Sequence, residues 1–350
     1  MVKKTNKAIS LFSGMGAMDI GLKQAGFDIC VHVDNDPYCV KTLKKNWSNV
    51  PVVEKDISLV SGRELLLVAG LKKSEVSLIV GGPSCQPFSR SNEGKRKGTK
   101  DARGQMIFEF ARIVDEIKPK AFLMENVVGL LSSNKGKDFT QLIKTFKKSG
   151  YNIFYQVLNA VNYGVPQKRK RLFVAGFKKQ VDFSFPSPTH GYEKGLKPPV
   201  SSGKVLKRFD DGIKHNGKKA VGGKWGHLIN KVPPGMNYIY FTREYSNKHV
   251  LFKDRSKFWT FLLKLDPNQP STTIQSQPWN SVGPFHWNNR RLKLKEIMKL
   301  QSIPLKYYIS GIKGRKDEYG SPSWMQIGNA VPPPLAKVVG KCILSRLSKD

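Results

Sequence analysis

At 350 residues the chain is long enough for one large domain or two. Its 39% hydrophobic and 10% aromatic content excludes a disordered chain. Sixty lysines and arginines against 26 aspartates and glutamates leave a formal net charge of +34, an excess that favours a polyanionic partner through counterion release and long-range attraction. The four cysteines (Cys30, Cys39, Cys85 and Cys342) are irregularly spaced and form no CxxC pair, so neither a zinc site nor a disulfide framework is expected. No metal is expected at all. The start, MVKKTNKAISLFSG, has a basic head but no long apolar run, and no later run reaches membrane-spanning length. A soluble cytoplasmic protein without a membrane partner is the expectation.

In chain order, AISLF (8–12) has the character of a buried strand, and a glycine turn leads from it into a helix, AMDIGLKQAG. Further strands are expected at ICVHVD (29–34), VPVVE (50–54), VSLIVGG (76–82) and AFLMEN (121–126), each bounded by turn residues. GQMIFEFARIVDEIK (104–118) carries helical apolar spacing, as does KDFTQLIKTFKKSG (137–150), with Gly150 as its stop. YNIFYQVLNA and RLFVAGF add two more strands. Alternation of this kind predicts an α/β fold with a doubly wound, mostly parallel sheet. After about Phe177 the chain becomes rich in Gly, Pro, Lys and scattered aromatics, which predicts a smaller irregular domain. Helical spacing returns in RRLKLKEIMKLQSIP (290–304), and PPPLAKVVGKCILSRLSKD closes the chain as a final helix. The expected division is a catalytic domain, 1–179 plus 286–350, around a domain at 180–285.

Phe12-Ser13-Gly14-Met15-Gly16 lies between strand and helix, where a nucleotide-like cofactor binds in an open α/β sheet. It is not GxGxxG, so a dinucleotide fingerprint is not satisfied. Asp34, near the end of the second strand, is suited to ribose hydroxyls, and Asp56 is a further acceptor facing the same crevice. The pattern suggests a nucleoside cofactor with no pyrophosphate. Gly82-Pro83-Ser84-Cys85-Gln86-Pro87-Phe88-Ser89 leaves the fourth strand at its functional edge, followed by a basic loop. A cysteine beside a crevice and a cationic loop is placed to be a reactive thiolate. Glu125 ends the next strand, where a partly buried carboxyl can donate to a base nitrogen. Gln167-Lys168-Arg169-Lys170-Arg171 offers cations for a phosphate and an acceptor for a base.

The ordered set FSGxG, DxDPY, GGPxCQPFS, ENV, QKRxR and GNAVPP resembles the cytosine carbon-5 DNA methyltransferases, over roughly residues 8–177 and 288–345. The resemblance implies an S-adenosylmethionine-dependent Rossmann-like fold and a role for each matching residue. Phe12 stacks on the adenine, with Ser13, Gly14 and Gly16 forming the turn under the methionine part. Asp34 and Asn35 serve the ribose side, Asp56 and Ile57 contact the adenine, and Gly82, Pro83, Asn329 and Val331 complete the cofactor and base pocket. Cys85 attacks carbon 6 of a cytosine flipped out of double-stranded DNA. Glu125 binds its N3 and amino edge, Arg171 its O2, and Arg169 helps position the site. Gln86, Ser89 and Arg90 contact the DNA. The variable middle is the target-recognition domain, ending at a PSTTI signature (270–274).

Ser84 stands where the family usually has proline, and Ala17 where glycine is common. The resemblance points to a stand-alone monomer of a bacterial or phage modification system, with a separately encoded cognate restriction endonuclease as a partner. A transfer-RNA cytosine methyltransferase of the same fold, or a catalytically silent nucleic-acid binder, is the alternative. The Cys-Phe-Thr signature common in the RNA branch is absent here.

Overall fold

A computed structural model of the chain describes residues 6–84, 102–245, 249–278, 281–312 and 319–348. The strands are β1 (Asn6–Leu11), β2 (Phe27–Val33), β3 (Val52–Val53), β4 (Val76–Gly81), β5 (Ala121–Asn126), β6 (Asn152–Asn159) and β7 (Lys170–Phe177). The helices among them are α1 (Ala17–Ala25), α2 (Pro37–Asn46), α3 (Gly62–Ala69), α4 (Met106–Ile117) and α5 (Lys137–Lys148). They are followed by α6 (Ser202–Leu206), α7 (Gly217–Ala220), α8 (Leu294–Leu300), α9 (Pro322–Asn329) and α10 (Pro333–Leu347). No helix among the described residues is long and apolar enough to cross a membrane.

All seven strands expected from the sequence form one sheet in the order β3-β2-β1-β4-β5-β7-β6. The β1–β2, β1–β4, β2–β3 and β4–β5 pairs are parallel. β7 runs antiparallel to both β5 and β6, so the mostly parallel sheet contains one reversed strand. Every residue of β4 and β5 is buried, which explains their continuous apolar runs: a sheet covered on both faces has no wet side to alternate with. Helix starts follow local chemistry. Asp36 accepts the Tyr38 and Cys39 amides ahead of Pro37 at the first turn of α2, and the Ser61 hydroxyl accepts the Glu64 amide of α3. α4 buries Ile107, Phe110, Ala111 and Val114 in the core beside Phe122 and Phe146.

The chain divides into two compact units. One comprises 1–159, 170–187 and 331–350, and the other 160–169 and 188–330. The second unit thus takes 160–169 and 286–330 in addition to most of the expected 180–285 segment. Hydrogen bonds explain this: Trp287 Nε1 and Asn288 Nδ2 donate to Asp210 at 2.8 and 2.6 Å, and Lys264 Nζ donates to Asn289 at 2.7 Å. A buried ion pair shapes 286–330 itself. The Arg290 guanidinium grips the Glu296 carboxylate with two bonds of 2.9 and 2.8 Å, one from each terminal nitrogen. Because His286 and Arg290 also bridge through their backbones, α8 begins only at Leu294, later than the periodicity suggested.

In the first unit α1 packs on α10 at Gly21, where an added Cβ would lie 2.3 Å from the Pro333 carbonyl oxygen. Alanine at an ordinary helix position gains up to about 1 kcal/mol over glycine. A backbone clash cannot be rotated away, so overpacking of about 1–3 kcal/mol dominates. Gly21→Ala therefore lowers the thermal midpoint of unfolding; an unchanged or raised midpoint would contradict this packing.

In the second unit His286 is fully buried and pushed down to about 4 by burial, with Arg290 acting the same way and Glu296, Asp210 and Asp211 opposing. The unfolded chain takes up this proton near its ordinary value of 6.5, whereas the folded chain resists it until about 4. Stability from this site is therefore complete above 6.5 and falls away towards pH 4, by on the order of 3 kcal/mol. Unfolding free energies of wild type and His286→Asn should diverge above pH 4 and level off above 6.5, and parallel curves would refute the assignment.

Candidate active site

β2 and β3 lie on one side of β1, while β4 and β5 lie on the other. The winding direction therefore reverses between β1 and β4, and ligands of open α/β sheets bind at such switch points, outside the carboxyl ends of the strands. A cavity of about 320 Å³ sits there, lined by the expected Phe12, Asp34, Asn35, Asp56 and Ile57. Val33, Lys55, Ser84 and Met106 also line it.

The loop from β1 into α1 is held in a demanding shape. Phe12 has φ 49°, a left-handed conformation costing a bulky residue roughly 1–3 kcal/mol. Its neighbours impose it. The Ser13 amide donates to the Val33 carbonyl (3.0 Å), the Ser13 hydroxyl to Ser10 (3.0 Å), and the Gly14 amide to Asp34 Oδ2 (2.7 Å). Ser10 in turn donates to the buried Asp19 carboxylate at 2.9 Å, a support that sequence spacing did not reveal. Gly16, at φ 79°, caps α1, and an added Cβ at Gly14 (φ 54°) would meet nothing within 4 Å, so the loop borders open space.

Asp34 spends one acceptor position on each oxygen, with the Asp36 amide at 2.9 Å on Oδ1, leaving further lone pairs for a ligand hydroxyl. Burial pushes its carboxyl up, while the Asp36 and Gly14 amides pull it down. Asp56 accepts the Ser58 hydroxyl and amide at 2.7 and 2.9 Å, which hold it below the usual carboxylate range, and it also accepts from Asn35 at 3.3 Å. Among the described lining residues the one cation, Lys55, is paired with Glu64 at 2.8 Å. A cavity with two carboxylates and a neutralised lysine disfavours a pyrophosphate and suits a cationic nucleoside. An aromatic wall, hydroxyl acceptors and net negative charge together fit S-adenosylmethionine.

On the next strand pair, reversal of β7 sets its first residues beside the carboxyl end of β5, with Glu125 opposite Phe173 and Asn126 opposite Leu172. Arg171 Nε donates to Glu125 Oε1 at 2.9 Å, and the two side chains are only 14% and 10% exposed. An added Cβ at Gly82 would lie 3.0 Å from Glu125 Oε2, so only glycine lets the β4 exit pass this carboxylate without crowding. Asn126 Nδ2 donates to the Pro83 carbonyl at 3.1 Å and pins the same exit. Within three residues the chain runs from Glu125, at Gly82, to the cavity, at Ser84. Cys85 comes next; it lies outside the described residues, as do Gln86, Ser89 and Arg90.

Two expectations change. Arg169 is fully buried and donates to the main-chain carbonyls of Gly328 (2.8 Å) and Ile274 (3.4 Å), so it braces the second unit from within. It is not a solvated cation for a phosphate. Gln167 is likewise fully buried; its amide donates to Leu300 (3.2 Å) and its oxygen accepts the Ile274 amide (3.2 Å), leaving no open face for a base. Asn329 is exposed at the end of α9 in the second unit, whereas Val331 is buried ahead of α10 in the first. Val33, Lys55, Ser84 and Met106 were missed as lining residues, although adjacency to Asp34, Asp56 and Pro83 was a usable signal for the first three.

A sequence model of the family described as C-5 cytosine-specific DNA methylase matches residues 6–345. The chain is 35% identical to Type II methyltransferase M.SacI of Streptomyces achromogenes, over 97% of this chain and 93% of the relative. It is 32% identical to Type II methyltransferase M.FnuDI of Fusobacterium nucleatum, over 98% and 95%. Among solved structures, a prophage-encoded candidate DNA modification methyltransferase of E. coli superposes with TM-score 0.69 at 23% identity, over 98% of this chain and all of that one. A DNMT2 mutant of Spodoptera frugiperda superposes with TM-score 0.66 at 15% identity, over 97% and 100%; these last two likenesses bear on the fold alone. The chain belongs to the C-5 cytosine-specific DNA methylases, S-adenosylmethionine-dependent enzymes that methylate carbon 5 of cytosine in DNA.

Proposed function

We propose that the protein methylates a cytosine extruded from one short duplex sequence, with Cys85 as the nucleophile at carbon 6. The observation that carries this reading is the Glu125–Arg171 pair at the β5 edge, beside Gly82 on the β4 exit, which two residues later, at Ser84, lines a cavity that fits the methyl donor. Chemistry on a base inside a duplex is sterically closed, so the target must leave the stack. Thiolate addition to carbon 6 pushes charge onto the ring, and Glu125 holds the proton at N3 that stabilises it. Arg171 fixes the Glu125 carboxylate and reaches the O2 side of the base. S-adenosylmethionine, held by Phe12, Asp34, Asp56 and Ile57, supplies the electrophilic methyl group that carbon 5 accepts. Elimination of the carbon-5 proton then restores the ring and frees the Cys85 thiolate.

The second unit is the target-recognition domain in this reading, supported by its Lys- and Arg-rich, weakly periodic sequence. In this reading the domain spans the compact unit 160–169 and 188–330, which contains most of the expected 180–285 segment. The protein acts as a cytoplasmic monomer beside a separately encoded restriction endonuclease of the same specificity. The basic excess adds a salt-sensitive grip on phosphate.

Bisulfite sequencing of unmethylated plasmid DNA after incubation with the protein tests the assignment. Protected cytosines confined to one short context, and only with S-adenosylmethionine, are expected. Protection of transfer RNA instead of DNA would overturn it in favour of the RNA substrate, and no protection of either would favour a silent binder. Glu125→Gln keeps the shape of the side chain and removes the charge, so kcat should fall by about 10²–10³-fold with S-adenosylmethionine affinity unchanged. A kcat near wild type would remove Glu125 from the chemistry.

A further inference from the structure

The second unit carries an exposed, basic and aromatic stretch that the catalytic reading does not use. Among the described residues of 243–259 only Phe252 is buried, at 6% exposure. It anchors the stretch among the rings of Trp225, Phe261, Tyr238 and Phe241, at centroid distances of 5.1 to 6.3 Å. Beyond the anchor, Phe258 and Trp259 stand side by side in the chain, 65% and 63% exposed. Their backbone is fixed even though their rings are in solvent. The Trp259 carbonyl accepts Nδ2 of the buried Asn237 at 2.7 Å, and the Phe258 carbonyl accepts the Phe261 amide at 2.8 Å.

The flanking charge is mainly positive. Lys253, Arg255 and Lys257 are exposed around the acids Asp254 and Glu244; Arg255 Nε lies 3.9 Å from Glu244 Oε2, yet its side chain is 88% exposed on a left-handed backbone (φ 53°). Lys257 Nζ sits 5.9 Å over the Phe252 ring, which ties its position to the anchor. Adjacent bulky rings on a rigid backbone are costly to leave in water and mark a surface with a partner. Cations around them select a polyanion, and aromatic rings stack on bases with little loss of side-chain freedom.

Building on the DNA methyltransferase function proposed above, we propose that Phe258 and Trp259 form a wedge that enters the DNA duplex and stacks on its bases, with Lys253, Arg255 and Lys257 holding the flanking phosphates. Apolar wedges of this kind unstack a base step in exchange for new contacts. Here the exchange offsets part of the cost of extruding the target cytosine.

The test uses a duplex oligonucleotide carrying the context that the wild-type protein methylates, with Trp259→Ala, Trp259→Phe and Phe258→Ala variants whose thermal unfolding matches wild type. Trp259→Ala should lower kcat/KM for DNA about tenfold or more, and Trp259→Phe should keep most of it. A mismatch at the target cytosine pre-weakens the stack, so it should restore much of the alanine variant's activity. Equal activity of Trp259→Ala and wild type, or an equal defect on matched and mismatched duplexes, would overturn the wedge. So would conversion of a wild-type dimer to a monomer by Trp259→Ala in light scattering, which would make the rings a self-association surface. Quenching of tryptophan fluorescence by the duplex, reduced in Trp259→Phe, is expected whether or not a methyl group is transferred. On plasmid DNA, where no context need be known beforehand, quenching without methylation would sink the catalytic assignment and spare the wedge; methylation with identical quenching in both proteins would do the reverse.

Discussion

One ion pair organises the carboxyl edge of the sheet in the first unit: Arg171 with Glu125, 2.9 Å apart and largely withdrawn from water. It exists because β7 enters the sheet backwards. A parallel β7 would begin at the opposite edge of the sheet, and its first residues would never meet the carboxyl end of β5. Removing one partner of a buried pair leaves an uncompensated charge at a cost of about 3–5 kcal/mol. The reversed strand, the bare Gly82 backbone against Glu125 and the Asn126 bond to Pro83 all serve one end. They set the β4 exit, which leads directly to Cys85, against a carboxylate of fixed orientation.

The cavity at the switch point works by a different balance. Its left-handed Phe12 costs free energy, which the amide bonds to Asp34 offset while they hold the loop in shape. Two carboxylates beside a Lys55 paired with Glu64 give the described lining a negative balance, which disfavours phosphate and suits a cationic ligand. The strongly basic remainder of the chain attracts the polyanion. Cofactor and substrate are thus sorted by opposite local charges on one protein.

Much of this was legible in the sequence, for identifiable reasons. Central strands buried on both faces, such as β4 and β5, read as apolar runs between breakers, while the edge strand β6 showed as a β-prone run ahead of β7. The cavity residues lie at strand ends, where Asp34 and Asp56 stand out as polar groups after apolar runs. Strand direction was not legible, because side-chain periodicity is the same for parallel and antiparallel neighbours; β7 is the consequence. Arg169 and Arg171 look equivalent in the sequence. Yet one is sealed inside the second unit on main-chain carbonyls, while the other meets Glu125 at the edge of the first. The packing of 286–330 with the second unit depends on long-range contacts, such as those of Trp287 and Asn288 with Asp210, that composition does not encode.

The most direct test of the central claim is covalent trapping. Duplex DNA carrying 5-fluorocytosine in the methylated context cannot lose its carbon-5 substituent as a proton, so the enzyme should remain attached after one turnover. Mass spectrometry of the digested adduct should place the DNA on the peptide containing Cys85, with no adduct formed by Cys85→Ser although that variant still binds S-adenosylmethionine. An undiminished adduct in Cys85→Ser, or attachment to another residue, would contradict the account.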